Sequence, residues 1–249
     1  MNVSFQLLQE ADVDNTGYTT LTRQSGLLRE MQVVANNIAN AATTGFRQEG
    51  VIFSEYILPI KDGPSLSMGH GNVRNTSYAQ GTLSQTGGAF DLAIEGDGFF
   101  LIETPQGERL SRSGAFSPNA QGDLVTMNGY RVLDAGGAPV FVPPDVGKIS
   151  ISGDGTLSAG GNLIGQIGLV APNDASKMTR EDGVMFRADD GYVPAEKASI
   201  LQGFVESSNV DAITQLARMI EVQRAYEMGQ SFLESEDQRV RQAIDSLTK

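Results

Sequence analysis

Along the stretch Leu27–Phe46, apolar residues at Leu27, Met31, Val34, Ile38 and Ala41 advance in steps of four and three. On a helix that alternation keeps one narrow face apolar, the spacing of a coiled-coil seam. Beside it stand Asn36, Asn37 and Asn40. Asn is a poor helix former, yet residues three and four apart share a face, so these amides form a ladder. Ala35, Ala39, Ala41 and Ala42 keep the surface small enough for another helix to approach closely. Thr43-Thr44-Gly45-Phe46 should end the helix, with Gly45 in the left-handed conformation past the C-terminus and Phe46 folding back onto Ala41 or Ala42. A thin apolar stripe with an amide ladder suits a helix that lies against copies of itself.

The pattern predicts a first helix from Thr16 to Thr44, about 29 residues or roughly 43 Å. Met1 to Asp14 is expected as a poorly ordered tail, with Phe5, Leu7 and Leu8 able to form one turn of contacts. Residues 46–74 are expected as an extended connector anchored by Val51, Phe53, Tyr56 and Ile57 and broken by Pro59, Gly63 and Pro64. His70, the sole histidine, sits between two glycines and reads as a loop residue; one histidine makes no metal site unaided.

From residue 75 to residue 205 the period becomes two. Phe90, Leu92 and Ile94 alternate with Asp91, Ala93 and Glu95 as in a half-buried strand, and Gly96-Asp97-Gly98 turns the chain into Phe99-Phe100-Leu101-Ile102. Asn128-Gly129 between Leu124–Met127 and Tyr130–Leu133 has the form of a two-residue hairpin turn. Val140-Phe141-Val142 stops at Pro143-Pro144, and further strands are expected around Ile149–Ile151, Ile164–Val170 and Ile200–Val205. Short strands with Gly-rich turns argue for an antiparallel sandwich or barrel-like domain.

At Ser208 the helical period returns. Ser208-Asn209-Val210-Asp211 resembles a capping box, with Asp in place of Glu. Leu216, Met219, Tyr226, Leu233, Val240, Ile244 and Leu247 then form a ladder, interrupted by Gln223, Gln230 and Asp237 and widened by Ile213 and Ile220. The helix is expected to reach Leu247, roughly 58 Å in length. Gly229 alone weakens it, by about 1 kcal/mol.

The fold class is therefore α+β. A discontinuous helical coiled-coil domain, built from 1–45 and 206–249, accompanies a central antiparallel all-β domain at 75–205. A lone pair of such helices buries too little to be stable, so it packs on the β domain or on other subunits.

The formal charge of −12 argues against nucleic acid, because nothing neutralises a row of phosphates. There is no Cys, which excludes disulfides and thiol chemistry. No apolar run is long enough for a membrane span. The N-terminus lacks the basic region and long apolar core of a cleaved signal peptide, so export is expected to use another route. Nucleophile–base sets and phosphate-binding glycine loops are missing. Asp97, Asp123 and Asp154 lie in Gly-flanked turns, where Asp serves conformation, and no stretch has the ligand ladder of a calcium loop. No enzyme activity, cofactor, metal or small-molecule substrate is expected.

Ala35-Asn36-Asn37-Ile38-Ala39-Asn40 followed by Thr43-Thr44-Gly45-Phe46 resembles the N-terminal signature of bacterial flagellar rod and hook proteins. Gly203–Asp211 followed by Met219–Glu227 resembles the same family's C-terminal signature, and Asp91–Leu133 its β region. The run Glu227–Leu233 through Asp237-Gln238-Arg239 is most similar to the proximal-rod branch, with the distal rod as the alternative and the longer hook subunits less similar. The resemblance implies a structural subunit of the flagellar basal-body rod in the periplasm. Such subunits pass unfolded through the flagellum's own type III export channel. Its partners would be other rod subunits and copies of itself, with no membrane insertion. The implied subunit-interface residues are Leu27, Met31, Val34, Asn36, Asn37, Ile38, Asn40 and Ala41 of the first helix, with Leu216, Met219, Ile220, Tyr226, Leu233, Val240 and Ile244 of the second. The competing class is a secreted β-domain binding protein or enzyme whose helices merely cap it. Helicity that rises with concentration distinguishes the polymerising subunit.

Overall fold

The computed structural model describes residues 3–58, 66–144 and 147–247, which form two compact units. The first unit gathers Met1–Ala39, Gln48–Ser77 and Asp211–Lys249; the second comprises Asn40–Arg47 and Tyr78–Val210.

The first unit holds two helices and a hairpin: α1 (Val3–Ala39), β1 (Glu49–Leu58), β2 (Leu66–Thr76) and α2 (Ala212–Leu247). α1 begins at Val3, so the segment expected as a tail is helical, in keeping with helix formers such as Leu7, Leu8, Gln9, Glu10 and Ala11. It ends at Ala39, five residues before the expected stop. Asn40 starts a turn instead: its backbone carbonyl accepts from Thr43 N at 3.0 Å, and its side-chain oxygen from the Thr43 hydroxyl at 3.1 Å. Asn side chains compete with the helix ladder in this way. The stretch read as a connector carries β1 and β2, paired antiparallel from Glu49↔Thr76 to Leu58↔Leu66 with a register shift at Ile52/Phe53. His70 lies in β2 opposite Ser54 rather than in a loop; its side chain lies outside the described residues. The cap of α2 is Asp211, whose Oδ1 accepts from Thr214 N at 2.9 Å, while the Ser208 hydroxyl accepts from Val210 N in the preceding turn. The cap is thus three residues later than the Ser208 box implied.

The second unit is antiparallel throughout. Its strands are β3 (Leu83–Gln85), β4 (Leu92–Glu95), β5 (Phe99–Thr104), β6 (Gly107–Ser111), β7 (Phe116–Pro118), β8 (Leu124–Thr126) and β9 (Arg131–Leu133). They continue with β10 (Ile149–Ile151), β11 (Thr156–Ala159), β12 (Asn162–Gln166), β13 (Leu169–Pro172), β14 (Met178–Asp182) and β15 (Met185–Ala188). β16 (Tyr192–Pro194), β17 (Ser199–Gln202) and β18 (Phe204–Glu206) complete the set. The main sheet runs β14-β15-β6-β5-β9-β8-β7, with β13 joining β5 to β16; β10-β11-β12 form a second sheet, and β17-β4 and β18-β3 are short ladders.

β5 is the hub. Phe100 and Ile102 enter one apolar core with Leu92, Ile94, Leu124 and Leu157, while Phe99 and Leu101 enter another with Leu110, Val170 and Phe186. Alternate side chains of one strand therefore fill two cores. β4 departs from the expected half-buried pattern, because Ala93 is buried along with Leu92 and Ile94. The Asn128-Gly129 turn also differs. Gly129 N donates to Thr126 O at 2.9 Å, which centres the turn on Met127 and Asn128 and leaves Gly129, at φ +80°, to follow in the left-handed conformation. That is the three-residue hairpin loop rather than the two-residue form.

Candidate functional site

Two arrangements stand out, one in each unit. In the helical unit, α1 and α2 lie against one another through polar groups at stepped intervals. Asn37, 1% exposed, donates from Nδ2 to Glu49 O at 2.7 Å and to Gln215 Oε1 at 3.1 Å, and its Oδ1 accepts from Glu49 N at 3.0 Å. One amide thus satisfies both backbone groups of the first residue of β1. The expectation placed Asn37 between subunits; its amide has three partners in its own chain. Arg218 Nε donates to Glu30 Oε1 at 2.7 Å, which raises the Arg218 pKa above the ordinary guanidinium value. Gln24 Nε2 reaches Tyr226 O at 3.4 Å, beside Gly229. A Cβ on Gly229 would stand 3.1 Å from that same Gln24 nitrogen, so the glycine that costs helix propensity makes room for a side chain of α1.

The shielded positions of α2 are Gln215, Met219, Val222, Ala225, Tyr226, Gly229, Leu233 and Glu236, all but Ala225 in alternating steps of four and three. Met219, Tyr226 and Leu233 were on the expected ladder. The other row is one residue earlier than read, at Gln215 and Val222 instead of Leu216 and Gln223. Leu216 and Ile220 are consequently half-exposed, together with Ile213 at 80%. Val240 continues the shielded row beyond Glu236 but is itself exposed, and Ile244, also exposed, falls on the outward row of Leu216. On α1, Leu27 and Val34 are buried, Met31 and Ile38 partly so, and Asn36 is exposed; Asn40 and Ala41 follow the helix and are partly buried.

In the second unit the residues after that helix end are sunk into the β structure. Gly45 has φ +72°, and a Cβ there would meet Ser113 N at 2.3 Å; its N–H donates to Glu206 O at 2.7 Å. Both the conformation and the contact require glycine. Phe46 is buried there rather than against Ala41 or Ala42, with the Arg180 guanidinium 4.6 Å from its ring centroid. Arg47 Nη1 lies 2.8 Å from Glu206 Oε1, and Arg112 Nε lies 2.9 Å from Glu206 Oε2. Gly81 N also donates to Glu206 Oε1, and Arg112 Nη1 donates to the carbonyls of Gly96 and Gly98. Burial pushes the Arg47 pKa down to about 10 and lowers that of Arg112, against the opposing pull of Glu206. Two guanidiniums thus share one buried carboxylate.

The contacts close into a ring. Arg112 stands over Phe99, Phe99 meets Phe186 edge-on, Arg180 covers both Phe186 and Phe46, and Phe46 leads to Arg47 and back to Glu206. Sequence reasoning noted Gly45, Phe46 and Glu206 inside signature runs but assigned no role to Arg47, Arg112 or Arg180. The only local trace was a charge directly after an apolar residue, in Phe46-Arg47 and Val205-Glu206.

Neither arrangement has the form of a catalytic centre. Among the described residues no group of three His, Cys, Asp or Glu side chains is placed to hold a metal ion, and no helix is long and apolar enough to cross a membrane. Asp154 accepts from the N–H and hydroxyl of Thr156, which lowers its pKa, and so serves its turn.

Three family models match: "Flagella basal body rod protein" over residues 16–47, "Flagellar hook protein FlgE/F/G D1 domain" over 93–159, and "Flagellar basal body rod FlgEFG protein C-terminal" over 201–246. The first match ends on Arg47, the second contains Arg112 and the third contains Glu206, so the three matched segments meet at one buried ion cluster. The chain is 40% identical over 245 residues to the flagellar basal-body rod protein FlgF of Caulobacter vibrioides, covering 95% of this chain and 99% of that one. It is 34% identical to FlgF of Rhizobium meliloti, over 92% of this chain and 96% of that one. Against the flagellar basal-body rod protein FlgG of Bacillus subtilis it is 28% identical, over 92% and 97%. The chain belongs to the flagellar basal-body rod protein family, as a structural rod subunit of the FlgF type.

Proposed function

We propose that this rod subunit stands in the proximal part of the rod, in the periplasm, and polymerises through its helical unit to carry motor torque. The observation that carries the reading is the surplus of apolar surface on the helices. Leu216, Ile220, Val240 and Ile244 of α2, with Leu21 and Leu28 of α1, are exposed in the single chain. Exposed apolar residues at helical spacing mark association faces. The stepped, shielded row of α2 supports an antiparallel coiled-coil pairing of α1 and α2 within each subunit, and the exposed residues supply contacts to neighbouring rod subunits. Asn36, exposed on α1, lies where close helix packing would use it.

Torque demands resistance to sliding between subunits. Many apolar contacts distributed along helices give that resistance and are insensitive to salt, unlike exposed ion pairs. The β unit supplies further lateral contacts. The higher identity to FlgF than to FlgG relatives favours the proximal position.

The test is a strain whose only copy carries Leu216→Glu and Ile220→Glu. The purified variant should keep wild-type circular dichroism, while the strain fails to swim in soft agar and isolated basal bodies have truncated rods. Normal swimming with full-length rods would overturn the assembly role of this face.

A further inference from the structure

The buried ion cluster draws on the beginning, the middle and the end of the β unit. Arg47 lies in the segment that enters the unit, Arg112 directly follows β6, and Glu206 ends β18. Their exposures are 2%, 3% and 0%. Gly45 N donates to Glu206 O at 2.7 Å and Asn209 N to Phe46 O at 3.3 Å, so the entering and leaving segments are joined at the same point. The ladders repeat this closure. β3 and β4, the first strands of the unit, pair with its last, β18 and β17. Strands β5, β6, β9 and β15 pair among themselves.

Arg112 makes those central strands depend on the end of the unit as well. Once β6 pairs with β5, Arg112 Nη1 is set against the carbonyls of Gly96 and Gly98, at 2.9 and 2.7 Å, just ahead of β5. Those carbonyls bring no charge; the charge that balances Arg112 is Glu206, at 2.9 Å, which also pairs with Arg47. Closing the central sheet without residue 206 would bury one lone cation, and seating Phe46-Arg47 would bury a second. A lone charge taken out of water costs far more than a paired one. Burial lowers the pKa of both arginines, and Glu206 is the foremost group opposing it. We infer that Glu206 is a folding lock: the central sheet of the β unit stays open until the unit's last strand delivers this carboxylate to Arg112 and Arg47. A chain that emerges N-terminus first then keeps its β unit unfolded until residue 206 is free to fold back. The lock concerns only the order in which this chain's own segments close, so it stands independently of the rod-subunit reading.

Refolding of the full chain from urea, followed by pulse-labelled hydrogen exchange, reads this order. In the wild type, amides of β5 and β6 should become protected in a single phase with the Gly45 amide, which bonds to Glu206 O. Arg112→Met removes the stranded charge from the central sheet and leaves the Arg47–Glu206 pair in place. In that variant β5 and β6 should gain protection about tenfold sooner than Gly45, because the lone cation no longer raises their barrier. Arg112→Lys keeps the charge and should keep the single phase. Three results would overturn the lock: wild-type β5 and β6 protected ahead of Gly45, Arg112→Met refolding in one phase at the wild-type rate, or Arg112→Lys separating the phases as Arg112→Met does. If Arg112→Met does not fold, the wild-type order and the Arg112→Lys variant decide by the same criteria.

Discussion

Arg47 and Glu206 lie 2.8 Å apart, both shielded from solvent, and they join the residue after the first helix's terminal turn to the last strand before the second helix. The same carboxylate is shared with Arg112, and all three side chains are buried. Glu206→Gln should therefore cost about 3–5 kcal/mol, the usual penalty for stranding a buried charge. Replacing Arg47 and Glu206 together by Met and Gln should cost less than the two single changes combined. Urea denaturation of the four-member mutant cycle measures this, and strict additivity would show that the pair is not coupled.

Gly45 and Gly17 should respond in opposite directions to alanine. Gly45→Ala forces a side chain into left-handed backbone and against Ser113, costing about 1–3 kcal/mol from the backbone alone. Gly17 lies inside α1 with open space around it, so Gly17→Ala should stabilise the helix by about 1 kcal/mol. Thermal melts followed at 222 nm compare the two, and equal shifts would refute the distinction.

Asn37→Leu should loosen the helical unit and spare the β unit. It removes the hydrogen bonds of Asn37 to the N–H and C=O of Glu49 and to the Gln215 amide, at about 1–3 kcal/mol for a buried group left unsatisfied. Hydrogen exchange at the Glu49 amide is the readout. Faster exchange there, with β5 unchanged, is expected; unaltered protection would remove Asn37 from its role.

Helix α2 should lose its N-terminal cap in acid. The backbone hydrogen bond from Thr214 holds the Asp211 carboxyl below its ordinary pKa. A depressed carboxylate contributes stability that is fully present above its unfolded value and is lost as pH falls through the folded one. Asp211→Asn keeps a capping oxygen without the charge, so amide protection at Thr214 should become independent of pH across the acid range. Persistent pH dependence in that variant would point to another group.

The helix–β–helix order and the antiparallel class were legible because each rests on local periodicity: four-three steps in Leu27–Ala41, alternation or continuous apolar runs in Leu92–Ile102. The turn glycines were legible for the same reason, since a left-handed conformation at Gly45 depends on the residue itself. Helix ends were less so, because Asn40 chooses between ladder and turn by only a small energy. The outer face of α2 was legible as apolar, but which of two adjacent rows turns inward depends on what lies across from it. Gln215 and Val222 were selected over Leu216 and Gln223 because Asn37 of α1 offers Gln215 a hydrogen bond.

Sequence by itself thus determined the two terminal helices, the antiparallel class between them, the family and the apolar surplus on the helices, but not the hairpin of β1 and β2, which read as a connector. Only the tertiary structure decided that Asn37 is spent within the chain and that Phe46 is clamped beneath Arg180. The same holds for Arg47, Arg112 and Glu206, which come from three distant segments to share one buried site. The energy of a buried charge lies in its partners, and partners brought together by folding leave no periodic trace along the chain.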